Sequence, residues 1–391
     1  MTRVLMLLPY YPPDVAADGQ LFSLLARELV ARGVEVRVLT WRPRYQGVAA
    51  RAPKREVIDG VEVRRMWAPR AGKSLLSRII AARWLTETAM LRAIFTGGVL
   101  VIPSSPPTLG IVGWWLSWIG RKYVYVLHDV HPNLGIALGR MKPGFMAGIL
   151  RRMQRRILKR GRTITLTEGM KANALTLQPK ANVEVIPNWV DTDSIRPINK
   201  ADSEFAKTND LVQPFVVQYS GNLGLLHPLD GLTRAFAELP DAVLTYIGRG
   251  AKLEPTRTLA QDLPNVRFFD YQPFGQLNDS LAGCDLAVVA IEPAADGLAM
   301  PSKLQGILAS GRAVLALAPE GSELAEFVNH HDCGVVVSDF ANPGAVAAAI
   351  RELQNDPGRR QALARNARAA AEKSFHTGLA AERYLNLIKG L

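Results

Sequence analysis

Three groups of residues in this 391-residue chain have the types and spacing to do chemistry. The first is Pro301-Ser302-Lys303, which lies between the apolar runs Leu286–Ile291 and Ala313–Ala318. Pro is pre-set for the first turn of a helix and Ser can cap the free N–H groups there, so the spacing predicts a strand, a loop and a helix opening at Pro301-Ser302. Such an opening presents backbone donors and a positive dipole end, which suits a phosphate. Lys303 in that turn opposes the dipole, so it either serves an anion or is a solvated helix residue. The second group is His128-Asp129, directly after the apolar run Tyr123–Leu127. A site role competes there with ordinary turn chemistry, in which Asp129 caps the turn that follows. His131 and His227 lack comparable neighbours and read as structural. The third group is a set of glycine-marked loops after strand-like runs: Pro9 through Asp18-Gly19, Ser220-Gly221-Asn222-Leu223-Gly224, and Gly248-Arg249-Gly250. Glycine lets the backbone approach a ligand closely, and its recurrence after successive strands favours phosphate cradling. None of these loops matches GxGxxG or a Walker loop, which argues against dinucleotide-binding and ATP-hydrolysing readings.

The elements that must position these groups follow from periodicity. Short apolar strands alternate with amphipathic helices along nearly the whole chain. Strands are expected at Arg3–Leu8, Val34–Thr40, Val61–Met66, Val99–Ile102, Tyr123–Leu127, Thr163–Leu166 and Val183–Ile186, with a helix at Leu21–Arg32. The pattern turns polar and loses its period from Pro187 to Gln213. It then restarts with Phe215–Tyr219, Val243–Ile247, Val266–Phe268, Leu286–Ile291, Ala313–Leu317 and Val335–Val337. Alternating β and α units imply parallel sheets covered on both faces, in two doubly wound, Rossmann-like α/β domains. The expected division is 1–190, a linker at 191–212, a second domain at 213–374, and a C-terminal helix at 375–391 packing back on the first domain. Ligands in such folds bind beyond the carboxyl ends of the strands, which makes a cleft between the two domains the expected site.

Composition bounds the rest. A 48% hydrophobic and 21% charged chain reads as globular, and its length as two domains. Cys284 and Cys333 are the only cysteines, with no CxxC or Cys/His cluster, so neither a disulfide framework nor a metal site is expected. The opening MTRVLMLLPYYPPD reads as a first strand, its apolar run being too short for a signal peptide. With no run of about 18 apolar residues, a cytoplasmic location is the default.

Charge is divided unevenly. Residues 1–200 hold 31 Lys and Arg against 13 Asp and Glu, a net of +18, whereas residues 201–391 carry a net of −6. The densest run, Arg151 to Arg160, has six basic residues in ten and no acid. Its apolar residues Ile149, Leu150, Met153, Ile157 and Leu158 fall at helical spacing, so the arginines crowd the other face. Apolar helix candidates at Leu75–Phe95 and Leu109–Ile119 carry Trp84, Trp114, Trp115 and Trp118. Aromatic and apolar residues beside a basic cluster suit an anionic membrane surface. Nucleic acid is not expected as a partner, because no known binding motif accompanies the charge.

Several segments resemble a known family. Val185-Ile186-Pro187-Asn188-Trp189-Val190-Asp191-Thr192-Asp193 is similar to the VIPNGVDTDRF signature of the family 4 retaining glycosyltransferases, which have the two-domain GT-B fold. Tyr219 to Gly224 resembles the opening of their C-terminal domain. Met300-Pro301-Ser302-Lys303-Leu304, with Ala309-Ser310-Gly311-Arg312, resembles the PSKLYxILAxGRPV segment of their exopolysaccharide and O-antigen branch, and Asp129-Val130-His131-Pro132 resembles its DLWP segment. The likeness runs from Arg3 to about Tyr384.

The resemblance implies transfer of a sugar from a nucleoside-diphosphate sugar, as UDP- or GDP-sugar, with retained anomeric configuration and usually without a metal or other cofactor. The likeness does not specify the acceptor; joined to the membrane-surface reading, the expected acceptor is lipid-linked or membrane-proximal, at the inner face of the membrane. By the same likeness Pro301, Ser302 and Lys303 clamp the leaving phosphate, with Ser220, Gly221 and Asn222 on its other side. Gly19 and Gly248 belong to the loops at the strand ends, Arg249 and Tyr271 lie near the nucleotide, and Glu323 accepts from the ribose hydroxyls or simply pairs with its helix dipole. His128, with Asp129, sits beside the transferred sugar.

The chain also departs from the family. The usual glutamate pair falls at Leu298 and Gly306, the usual Gly-Arg is Gly221-Asn222, and the lysine that normally follows is not evident. More of the load then rests on Lys303 and Arg249. Two other classes stay open: a sugar-nucleotide epimerase of the same fold, and an inactive sensor or scaffold.

Overall fold

A computed structural model describes residues 2–14, 16–43, 52–67, 69 and 75–391, so Val15 in the first loop lies outside them. The chain divides into two compact units. One comprises Met1–Asn188, Gly297–Ala299 and Thr377–Leu391; the other comprises Trp189–Asp296 and Met300–His376.

The first unit is built on an eight-stranded sheet. Its strands are β1 (Arg3–Leu7), β2 (Glu35–Trp41), β3 (Arg55–Ile58), β4 (Val61–Met66), β5 (Val99–Pro103), β6 (Tyr123–Leu127), β7 (Arg162–Thr165) and β8 (Asn182–Val185). They run in the order β3-β4-β2-β1-β5-β6-β7-β8, with β3 antiparallel to β4 and the other pairings parallel. The central strands are buried on both faces, as the continuous run Tyr-Val-Tyr-Val-Leu of β6 requires. Every expected strand of this half forms. The addition is β3, whose Arg-Glu-Val-Ile has no apolar run and forms a partly exposed edge. Its signal is the two-residue turn Asp59-Gly60, with φ of 48° and 78°, the left-handed pair that closes a tight hairpin.

The second unit holds β9 (Phe215–Ser220), β10 (Ala242–Ile247), β11 (Val266–Phe269), β12 (Leu286–Ala290), β13 (Ala313–Leu317) and β14 (Gly334–Val337). All pairings are parallel, in the order β11-β10-β9-β12-β13-β14, the doubly wound 3-2-1-4-5-6 arrangement. Val217, Tyr219, Leu244, Tyr246, Leu286 and Val288 form the centre of its core against helices on one face.

The chain leaves the first unit after Asn188. Residues 191–212 are packed on the second unit rather than spanning free. Lys200 Nζ meets Asp285 Oδ2 at 2.6 Å, and the Arg368 guanidinium donates to the carbonyls of Thr192 and Ile195 at 3.0 and 2.8 Å. The C-terminal helix Thr377–Lys389 returns to the first unit, where it packs on the helix Ala17–Ala31 and the Arg383 guanidinium donates to Val185 O at 2.7 Å.

The basic run forms the helix Phe145–Arg160. Met153, Ile157 and Leu158 face inward and all six cations face outward. Two positions differ from the expected faces. Ile149 is exposed, and Gln154 is buried with its Nε2 donating to Tyr125 Oη at 3.1 Å.

Candidate functional site

Both doubly wound sheets place their chemistry-bearing loops where the strand order reverses, the position at which such sheets bind ligands. In the first unit the reversal lies between β1 and β5. His128 and Asp129 follow β6, Ser104 follows β5, and Asp18 lies in the first turn of the helix that follows β1. Buried Ser104 Oγ accepts the backbone N–H of His128 at 3.0 Å and that of Asp129 at 3.3 Å, which fixes the turn. His128 Nδ1 is 3.4 Å from Asp18 Oδ1, and the Phe22 ring lies 5.6 Å away, centroid to centroid. Burial opposes charge on His128, but the Asp18 carboxylate beside it, with Asp129, more than offsets that and holds the imidazole above its usual range. Asp18 is correspondingly held below the carboxylate range: burial opposes its charge, and His128 more than compensates. His128 Nε2 is buried and has no hydrogen-bond partner among the described residues.

Asp129 makes an antiparallel bridge to Ala299, and the adjacent Val130 N–H donates to Leu298 O at 3.0 Å. The position where the family carries its first glutamate therefore contributes a backbone carbonyl here. Burial pushes the Asp129 carboxyl up, and burial pushes His131 down, its Nε2 lying 4.0 Å from Asp129 Oδ2.

In the second unit the reversal lies between β9 and β12. Ser220 ends β9, Gly221 and Asn222 follow it, and Lys303 comes from the loop after β12. Lys303 Nζ is buried, sits 3.3 Å from the centroid of the Tyr219 ring, and has no hydrogen-bond partner among the described residues. A Cβ placed on Gly221 would lie 3.6 Å from that Nζ, so the two sides of the reversal meet. Burial holds the ammonium well below its usual range. A buried cation satisfied only by a ring face is costly, and an anion placed beside it would remove the cost.

Two further groups lie beside Lys303 and Tyr219: His227, which reads as structural in the sequence, and Lys252, which the sequence analysis does not single out. His227 Nδ1 meets Ala290 O at 2.7 Å with its ring 5.8 Å from Tyr219. Burial, then Lys303 and Lys252, push its pKa down to about 3, against the opposing Ala290 contact. Lys252 Nζ donates to His227 O at 2.8 Å and lies 3.4 Å from Glu292 Oε1. Lys252 follows Gly250 by two residues, and that proximity to a glycine loop was the available signal. Asp18 gave a weaker one, since an acid in a first helical turn reads as a dipole partner.

The glycine loops are packed on each other. Leu223 N–H donates to Arg249 O and Lys252 N–H to Leu223 O, both at 2.9 Å. A Cβ on Gly248 would fall 2.1 Å from Gly221 O, and one on Gly250 2.3 Å from Leu223 O. Close backbone approach thus explains Gly248 and Gly250 without a ligand. Gly19 is likewise explained by packing: it is buried in the helix Ala17–Ala31, and its Cβ would come within 3.0 Å of the Tyr10 backbone.

Other expected residues stand apart. The expected Ser302 cap does not form; Pro301 to Leu304 make a turn, the helix runs only over Leu304–Ala309, and Ser302 is exposed. Leu304, Ile307 and Leu308 are buried in that short helix, together with Gln305 and Ala309. Arg249 turns to Asp270 at 3.4 Å on the surface, and Tyr271 is exposed. Glu323 opens the helix Glu323–His330, which Ser322 caps, and its N–H donates to Asp296 Oδ1 at 3.2 Å.

With this geometry in view, the comparisons with known proteins define the class. Residues 19–189 match the glycosyl transferase 4-like domain and residues 200–370 the glycosyl transferases group 1 domain. The chain belongs to this glycosyltransferase family, and its fold is GT-B. Among its relatives, it is 26% identical over 281 residues to the probable glycosyltransferase WbjE of Pseudomonas aeruginosa, covering 68% of this chain and 70% of the relative. It is 25% identical over 406 residues to the putative colanic acid biosynthesis glycosyl transferase WcaI of Escherichia coli K12, covering 97% and 98%. Its fold matches that of Anabaena HepE in complex with UDP and glucose, with a TM-score of 0.75 at 16% identity over the whole of both chains.

Proposed function

We propose that this glycosyltransferase is a retaining enzyme that moves a sugar from a nucleoside-diphosphate sugar to a lipid-linked or membrane-proximal acceptor in polysaccharide or glycolipid synthesis. The observation that carries this reading is the Lys303 ammonium, buried beside Gly221 at the strand-order reversal, against the Tyr219 ring and with no hydrogen-bond partner among the described residues. A departing nucleoside diphosphate is the anion that such a cation would serve, through a charge-assisted contact that strengthens as negative charge builds on the leaving oxygen. Ser220, Gly221 and Asn222 would line the same diphosphate, and His128 with Asp129 would meet the sugar. The UDP bound by a protein of the same fold supports a nucleotide donor, and the colanic acid relative supports a polysaccharide setting.

A membrane-facing role rests on a separate surface of the first unit. The helix Leu75–Ile94 packs on Gly110–Leu116, which packs on the basic helix Phe145–Arg160. On these helices and just beyond their ends Leu91, Phe95, Trp115, Ile119 and Met146 are exposed, with Trp118 at 62% and Phe145 at 81% exposure. Arg160 lies over Trp118 at 4.0 Å and Arg156 over Trp114 at 5.5 Å. Among the described residues no helix is long and apolar enough to cross a membrane. Apolar side chains interleaved with cations suit insertion at an anionic interface instead.

Incubation with a panel of UDP- and GDP-sugars tests the chemistry. Release of free nucleotide is the expected result. An altered sugar still attached to its nucleotide would replace the proposal with epimerisation, and no reaction with any donor would leave a sensor or scaffold.

A further inference from the structure

We propose that Asp18 is a positioning residue for His128: its carboxylate holds the Nδ1 side of the ring and leaves Nε2 as the nitrogen presented to the sugar or to the departing oxygen. The inference rests on the reading of His128 as a sugar-side residue. It starts from a contact that helix chemistry alone does not explain. Asp18 lies in the first turn of the helix Ala17–Ala31, where an acid could face solvent and still favour the dipole. Instead its Oδ1 lies 3.4 Å from His128 Nδ1 on a ring that is 9% exposed.

The chemistry of the pair assigns the two nitrogens. An ionised carboxylate only accepts, so the nitrogen facing Asp18 carries a hydrogen. Nε2 is then the reactive end, and it is buried with no partner among the described residues. The rest of the turn cannot rotate to compensate, because Ser104 Oγ holds the N–H groups of both His128 and Asp129. Phe22, one turn further along the same helix, lies against the ring. One helix therefore supplies both the carboxylate and a packing surface for a single imidazole.

The charged groups around the ring are Asp18 from the helix and Asp129 from its own loop, with His131 acting on Asp129. Both carboxylates favour the imidazolium, and Asp18 contributes more. Protonation turns Nε2 from an acceptor into a donor, so Asp18 extends to higher pH the range in which His128 donates.

Asp18→Asn and Asp18→Ala separate charge from placement. Asp18→Asn keeps an acceptor oxygen and loses the charge, while Asp18→Ala loses both. Expected for Asp18→Asn is a fall in kcat of tenfold or more with nucleotide affinity within about threefold. Its kcat profile should lose its high-pH limb at lower pH than the wild type. The His128 imidazole, followed by NMR in the full-length chain without substrate, should titrate at lower pH in step. Asp18→Ala should lose more, and Asp18→Glu should recover part of the rate. An unmoved His128 titration in Asp18→Asn overturns the proposal whatever the rate does, since a merely structural carboxylate would give that result. A wild-type rate in His128→Ala would instead sink the sugar-side reading and this role with it. The substrate-free titration tells the two failures apart.

Discussion

At the scale of single residues, Lys303 and His227 show how burial and charge trade against each other beside one aromatic ring. The Lys303 ammonium is removed from water with no hydrogen-bond partner among the described residues, and burial disfavours its charge in the fold without ligand. Lys303→Met should therefore leave the thermal midpoint of the ligand-free chain unchanged or raise it. The same variant should lower kcat/KM roughly 10- to 150-fold, the counterpart of ~1.5–3 kcal/mol for a charged hydrogen bond. Wild-type kcat/KM in that variant would make Lys303 a packing residue and remove the phosphate contact. His227 gives a pH dependence of definite sign. Its folded pKa of about 3 lies below the ordinary 6.5, so below pH 6.5 the unfolded chain takes up a proton that the fold refuses. Stability due to this group is complete well above pH 6.5 and falls toward pH 3, by about 1.6 kcal/mol between pH 6.5 and 5. Urea unfolding at those two pH values measures it. His227→Asn, which keeps a donor toward Ala290 O, should flatten the slope, and an identical slope would place the sensitivity elsewhere.

At the scale of elements, the two glycine loops and the basic helix each make a claim that can fail. Gly248 has φ +128°, and its Cβ would meet the Gly221 carbonyl at 2.1 Å. Gly248→Ala must move one loop against the other, at a cost of order 1–3 kcal/mol in the denaturation midpoint. Because Gly221 borders Lys303, donor affinity should fall with it. An alanine variant with wild-type stability and affinity would show that the loops accommodate side chains freely. The helix Phe145–Arg160 presents its cations on the face opposite its buried Met153, Ile157 and Leu158. Replacing Arg151, Arg152, Arg155 and Arg156 with Gln should weaken sedimentation with anionic vesicles, since cations near such a surface contribute about 1 kcal/mol each. Activity on a short soluble acceptor should be spared. Binding should weaken with salt, with a residue from Trp115 and Trp118 insertion that persists. Unchanged vesicle binding in the four-fold variant would return the run to a solvated helix face.

At the scale of the whole molecule, the amino-acid order by itself determined the alternation of strands and helices and two parallel sheets. It also picked the loops that carry His128, Gly221 and Lys303. The reason is that buried parallel strands must be nearly continuous apolar runs, as in Tyr-Val-Tyr-Val-Leu of β6 and Leu-Ala-Val-Val-Ala of β12, and such runs are read locally. The edge strand β3 escaped because an edge need not be apolar. The helix expected to open at Pro301-Ser302 begins at Leu304, after a turn over Pro301 to Leu304. Only the tertiary structure decided the partners. Asp18 reaches His128 across 110 positions of sequence, and Lys303 reaches Tyr219 across 84. Burial of a particular nitrogen depends on every element packed around it, so no local pattern could record that Lys303 Nζ and His128 Nε2 are both buried without a hydrogen-bond partner among the described residues.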